Sequence, residues 1–297
     1  MPLRPGLSVA ARRAVALTAS LVLLWRGLQA APGAVIVRMP GRGPTAPLSA
    51  ALSEKLSSAR VVELTGDLPA DTARISRETR GVSVLFAIGP DATDAAGEAR
   101  GPAVVSLGVA NPAQLKTPGT YVSIYPNLDR VFEYVKTSLK ATRVGLVFSP
   151  ARNREIGLQF LKAGGAQGVT VVPVTIGSSG DLVREIKGAL PKVDALLLAV
   201  DRDVIFDQRN LEFIVGEARQ ARKPTIGFLE ELAGLGVTIA LVAPPDQVAA
   251  AAVAAAAQPV TLGKKRVEVD GMAVIVSRKA ATDIGLSGEA LGAQKLQ

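Results

Sequence analysis

Cysteine is absent from the sequence, and with it every disulfide, every thiol nucleophile and the lipid-attachment site of a lipoprotein. Redox compartment is left open by that absence, because a chain without thiols suits reducing and oxidising surroundings alike. Histidine is absent too. The commonest general base and the commonest metal ligand are therefore missing. Aromatic residues make up only 4% of the chain, too few for a surface on which nucleic-acid bases stack. No complete phosphate-binding glycine motif is present: Gly41-Arg42-Gly43 and Gly177-Ser178-Ser179-Gly180 lack the spacing and the lysine-serine ending of dinucleotide and Walker loops. Both read as turns, with Ser178 or Ser179 placed to cap the following helix.

The formal charge of +8 first suggests a nucleic-acid partner, but Arg4, Arg12, Arg13 and Arg26 supply four of those charges within the first 30 residues. The remaining +4 is an ordinary solvated surface. Gly263-Lys264-Lys265-Arg266 reads likewise as a solvated basic turn. The early arginines belong to an export pattern, in which Arg12-Arg13 precede an apolar run from Ala14 to Trp25 and small residues lead to a cut at Ala31. That run is shorter than the roughly 20 apolar residues of a membrane span. Residues 1–30 are read as a signal peptide and the location as the periplasm; Arg26, close behind the run, keeps an uncleaved anchor as the alternative.

Beyond the signal, strand-length apolar runs alternate with helix-like segments. Between Arg143 and Phe228 the pattern repeats three times: Val144 to Phe148, Val169 to Thr175 and Val193 to Val200 are followed by helices at Arg154 to Ala163, Leu182 to Leu190 and Asp207 to Arg222, before a last strand at Thr225 to Phe228. Unbroken β-branched and aliphatic runs with long connections predict parallel sheets covered on both faces. Ala34 to Leu107 repeats the scheme, with strands at Ala34 to Val37, Arg60 to Leu64, Val82 to Ile88 and Ala103 to Leu107. The expectation is an α/β protein of two Rossmann-like lobes. Tyr121 to Tyr125 alternates as a strand and supplies the first connection, Asn127 caps the helix from Leu128, and Ala243-Pro244-Pro245-Asp246 supplies a second connection, with Asp246 capping an alanine-rich helix. The lobes are drawn as 31–124 plus about 245–273, and 125–244 plus about 274–297.

Strand ends on such sheets are where ligands sit. Asp201-Arg202-Asp203 follows one strand and Glu230-Glu231 another. One aspartate pair is an incomplete cation site, and neither cluster includes a nucleophile, so polar recognition is favoured over chemistry. Asp201 competes with a simpler reading as a helix cap, and Arg202 either binds a carboxylate or pairs with Asp203.

The later half resembles the ABC-transporter substrate-binding family of periplasmic-binding-protein type I fold, the group that includes tryptophan- and tyrosine-binding members. The resemblance is carried by Arg143-Val144-Gly145-Leu146-Val147-Phe148-Ser149-Pro150 with Asn153 beyond it, by Gly168-Val169, Val193-Asp194-Ala195 to Asp201, Pro224 to Gly236, and Val274 to Ala281 with Ile284-Gly285-Leu286. It covers about Leu139 to Leu286. It implies an exported monomeric receptor that closes on a small polar or amino-acid-like solute and delivers it to an ABC permease, with no cofactor, no metal, no nucleic acid and no catalytic step. A non-transport scaffold or sensory module of the same fold is the alternative. The expected ligand-binding set is Asn153, Asp201, Phe228 and Glu230 in the later lobe, with Arg42, Gly89 and Tyr125 at or near strand ends of the earlier one.

Overall fold

Apolar runs too continuous for a sheet with one wet face form the central strands of two sheets. The computed structural model describes residues 33–40, 45–99, 102–178, 180–258 and 263–297. The export segment, Arg42 and Ser179 lie outside the described residues. In chain order the first half contains β1 (Val35–Arg38), α1 (Thr45–Lys55), β2 (Arg60–Glu63), α2 (Leu68–Glu78), β3 (Val84–Ile88), α3 (Pro90–Glu98), β4 (Ala103–Val109), β5 (Gly119–Pro126) and α4 (Leu128–Thr137). The second half continues with β6 (Arg143–Phe148), α5 (Pro150–Ala166), β7 (Thr170–Thr175), α6 (Leu182–Ala189), β8 (Ala195–Leu198), α7 (Gln208–Gln220), β9 (Thr225–Gly227), the short α8 (Glu231–Gly234), β10 (Ile239–Val242), α9 (Pro245–Ala256), β11 (Lys264–Val269), β12 (Ala273–Val276), α10 (Arg278–Asp283) and β13 (Lys295–Leu296).

The first sheet runs β11-β5-β4-β3-β1-β2 with every pairing parallel. Successive side chains go to opposite faces, so Ile36, Phe86 and Ile88 join α1 and α9 on one side while Val35, Val37, Leu85 and Ala87 meet α2 and α3 on the other. The alanines of α9 let that helix lie close to α1, with Ala249 and Ala252 fully buried beside Leu48 and Leu52. The second sheet runs β13-β12-β10-β9-β8-β6-β7; it is parallel except that β12 lies antiparallel to β10. Its main core is a cluster in which all four residues of β8 are buried, with Ala233, Ala240 and Ile275 forming a small second one.

The chain passes between the sheets three times: after β5 at Asn127, between β10 and α9, and between β11 and β12. The first and third passages are tied together, since Asn127 N donates to Val269 O at 2.9 Å and Asn127 Nδ2 to Asp270 Oδ1 at 3.4 Å. Tyr121 to Tyr125 is thus an interior strand of the first sheet, and the passage follows it.

Several local expectations are corrected. The helix expected from Arg154 to Ala163 begins at Pro150 and reaches Ala166, with a break in helical geometry at Asn153 (φ −123°, ψ 26°). Asp246 lies in the first turn of α9, whose cap position is Pro244; proline at the start of a helix costs no hydrogen bond and makes a side-chain cap dispensable. Ser178 does not cap α6: its Oγ donates to the Asp181 carboxylate at 2.8 Å, the stronger charged acceptor nearby. Lys264, Lys265 and Arg266 are not in a solvated turn but on β11, where Lys264 Nζ donates to the carbonyl oxygen of Leu115 and Lys265 Nζ to Gln258 Oε1 at 2.6 Å.

Candidate functional site

The loops after β6 and β8 are fastened to each other by one carboxylate. Asp201 is fully buried; its Oδ2 accepts from Ser149 N and Asn153 Nδ2, each at 2.7 Å, and its Oδ1 accepts from Asp203 N at 2.9 Å. A buried carboxylate survives where donors replace its water, and three are in place here. The non-helical backbone of Asn153 belongs to this arrangement, with the Asn153 side chain turned inward to Asp201 at 3% exposure. The next helix, α7, is capped by Asp207, whose Oδ1 accepts from Arg209 N at 2.9 Å and Asn210 N at 3.3 Å. Asp201 therefore does not cap it. Asp203 pairs with Arg152 at 2.7 Å and not with Arg202; both partners are about half exposed, so the pair contributes at most about 1 kcal/mol.

Tyr125 leaves the first sheet and enters the core of the second lobe. Its hydroxyl accepts the Val200 N–H at 2.9 Å, and its ring packs edge-on against Phe160 at 5.4 Å and Phe228 at 5.1 Å. Such aromatic pairs contribute about 0.5–1.5 kcal/mol each beyond the area they bury. Burial pushes the Tyr125 phenol far above its ordinary range, against a weaker opposing pull from the Val200 bond, so it is neutral at any ordinary pH. A second polar link between the lobes comes from Asn111, after β4, whose Nδ2 donates to Arg152 O at 2.6 Å.

On the other side of this seam lies a cavity of about 470 Å³ between the lobes. Leu48 of α1, Gly108 of β4, Ser123 and Ile124 of β5 and Val248 of α9 form the first-lobe wall; Phe228 to Glu231, Val242 and Gln297 form the other. Its size and its apolar lining with a few polar groups are those of a small-molecule site. Gly108 sits in its wall at an irregularity of the sheet: β4 slips register against β5 between Leu107 and Val109, and Gly108 takes a left-handed backbone (φ +68°) that favours glycine. Gly89 lies beside it, also left-handed (φ +91°), its N–H donating to Leu107 O at 2.8 Å at the start of α3.

Of the expected residues, Phe228 and Glu230 line the cavity, with Glu230 held by Lys295 at 2.5 Å and by Gln297 at 3.4 Å. Asn153, Asp201 and Tyr125 are brought together in the seam behind it and are buried, and Gly89 lies at the end of the interior strand β3, at the start of α3. Arg42 is outside the described residues. Sequence reading missed Ser123, Gly108 and Arg266. The isolated glycine in an otherwise apolar strand was a signal for Gly108; nothing in the local sequence separated Arg266 from its neighbouring lysines. Among the described residues, no group of three or more acidic residues could hold a metal ion, and no helix is long and apolar enough to cross a membrane.

No protein-family model matches the chain, and no curated protein does. Solved structures do. The chain is similar to the ligand-free, open form of a substrate-binding protein with adhesive properties from Clostridium difficile, at 17% identity and a TM-score of 0.64, over 89% of this chain and 99% of that one. The same coverage holds for a conserved domain protein from Vibrio cholerae, at 18% identity and a TM-score of 0.60. It holds also for an ABC domain from Streptococcus pneumonia in complex with L-Trp, at 14% identity and a TM-score of 0.60. The chain has the periplasmic-binding-protein type I fold. Within this type I fold, Asp201 sets the shape of two strand-end loops, Tyr125 pins the lobes near their crossings, and the cavity occupies the space between them.

Proposed function

We propose that the protein is an exported solute receptor of the ABC-importer type, which takes a small molecule into the cavity between its lobes and delivers it to a membrane permease. The observation that supports this most is the cavity itself, built from both lobes of a type I fold and lined by apolar side chains with polar groups at its floor and rim. A ligand held by both walls favours the closed arrangement by its differential contacts, and three chain passages are few enough to flex while each sheet stays rigid. The moving units are residues 31–124 with about 245–273 and residues 125–244 with about 274–297. Phe228 and Glu230 contact the ligand, Gly89 shapes the end of β3, and Asn153, Asp201 and Tyr125 hold the strand-end loops and the seam. Binding involves no turnover, and the working form is a periplasmic monomer.

Native mass spectrometry of protein purified from its own host tests the reading. A bound small molecule is expected, and adding it back to stripped protein lowers the radius of gyration seen by solution scattering. A chain that carries no small molecule from its host, and a scattering profile unmoved by extracts of host metabolites, would overturn it.

A further inference from the structure

The edge of the second sheet that points away from the first lobe carries an uneven share of the charge. β6, β8, β9 and β10 run parallel and so start at one edge, where β12, antiparallel to β10, ends with Val276 opposite Ile239. Their other ends bear the loops that meet the first lobe through Asn111 and Tyr125. Along the starting edge stand Lys140, Arg143, Lys192 and Arg222, all exposed, with the half-buried Lys223 beside them. Arg278 and Lys279 follow β12 at the same edge and are exposed too. Against these cations the turns, residues 138–143, 190–194, 221–224, 235–238 and 277–279, hold a single acid, Asp194. Its carboxylate is already occupied, since Oδ2 accepts from Thr142 N and Arg143 N, each at 2.9 Å. Arg143 Nε donates to Lys192 O at 3.0 Å, and Lys223 is near enough to act on Asp194, so these cations form one cluster. Glu217 and Asp283, just behind the edge, have Lys187 and Arg219 as partners at 3.5 Å.

A helix dipole favours a cation after α4, α6 and α7, and one at each end meets that need. Arg278 and Lys279 instead open α10, where the dipole disfavours them. Lys140 and Arg222 take the left-handed backbone (φ 52° and 54°) in which glycine is the unstrained residue. Leu235 stands 54% exposed in the turn before β10, between the turns of β9 and β12. The row crosses five neighbouring strands, about 20 Å.

We propose that this edge of the second lobe docks on an anionic lipid surface, with its cations over the phosphate head groups and Leu235 in the acyl boundary. The negative potential of such a surface raises affinity about fivefold for each cation brought near it. An exposed leucine among the cations gains by leaving water there, whereas a nucleic-acid backbone would match the charge and give Leu235 nothing. The cavity and the first lobe face the other way, so docking leaves the cavity free and is independent of what fills it.

Co-sedimentation of the full-length protein with phosphatidylcholine vesicles, with and without phosphatidylglycerol, tests the proposal. Binding is expected to be at least about tenfold tighter to the anionic vesicles and to weaken as salt rises. Lys140→Gly combined with Arg222→Gly removes two cations and relaxes two strained turns; affinity for the anionic vesicles should fall about 25-fold while the thermal midpoint holds. Leu235→Ala should weaken binding severalfold and leave its salt dependence as it was. Equal binding to the two kinds of vesicle would overturn the proposal. So would a phosphatidylglycerol preference unchanged in the double variant, which would belong to Arg4, Arg12, Arg13 and Arg26 around the early apolar run. Tighter binding to duplex DNA than to anionic vesicles, with Leu235→Ala without effect on either, would make the edge a polyanion site and overturn the lipid assignment.

Discussion

The Tyr125 hydroxyl, carried on a strand of the first sheet, accepts the backbone N–H of Val200 in the second lobe at 2.9 Å. Val200 follows β8 and immediately precedes Asp201, so this one bond fixes the point from which the buried carboxylate is presented. Tyr125→Phe keeps the ring contacts with Phe160 and Phe228 but leaves the Val200 N–H without a partner in a dry seam. We expect a loss of about 1–3 kcal/mol in urea unfolding, the cost of one stranded buried donor. An unchanged unfolding midpoint with unchanged denaturant slope would show that water reaches the seam.

Stability should also fall at high pH. Burial raises the phenols of both Tyr125 and Tyr134, and the Tyr134 hydroxyl donates to Leu291 O at 2.8 Å. With the folded value above the unfolded one, the stabilisation is complete below about pH 10, where phenols of the unfolded chain begin to ionise, and is lost as pH rises from there towards the folded values. In that interval the unfolded state binds fewer protons. Urea midpoints between pH 8 and 11 should therefore decline in the wild type and decline less in Tyr134→Phe. Parallel curves for the two proteins would assign the decline to other groups.

Asp201 offers a sharper separation of roles. All three of its partners are N–H donors, and an amide in its place loses the charge that strengthens those bonds and can turn its own donors towards them. Asp201→Asn should lower the stability of the ligand-free protein by about 1–3 kcal/mol, as expected for disturbing a buried, fully bonded carboxylate. Any effect on ligand affinity then comes through the two loops it joins. If ligand-free stability is unchanged while affinity drops, the carboxylate contacts the ligand directly.

The sequence by itself determined the two-lobed α/β architecture. Ala34 to Val37, Arg60 to Leu64, Val144 to Phe148 and Val169 to Thr175 are local runs whose strand character follows from composition and spacing alone; the expected two-sided burial holds for β1 and β6, whereas β2 and β7 are edge strands with most of their residues exposed or half-buried. Caps with short-range geometry were legible for the same reason: Asn127 accepts from Asp129 N at 2.9 Å, two residues away, at the start of α4. The single antiparallel pairing of β12 with β10 was not legible, since Ala273–Val276 reads the same in either direction. Asp201 and Phe228 were found by their places after strands. What each does was decided by tertiary structure: one carboxylate is spent on donors 48 and 52 residues away, and one ring is shared between a core and a cavity wall. Ser123 and Arg266 lie 143 residues apart and meet because β11 returns to pair with β5 after the chain has built β6 to β10 of the second sheet. Periodicity reports which face of an element is apolar. Which polar atom is left with an unmatched proton depends on partners that only long-range pairing of strands brings within 3 Å.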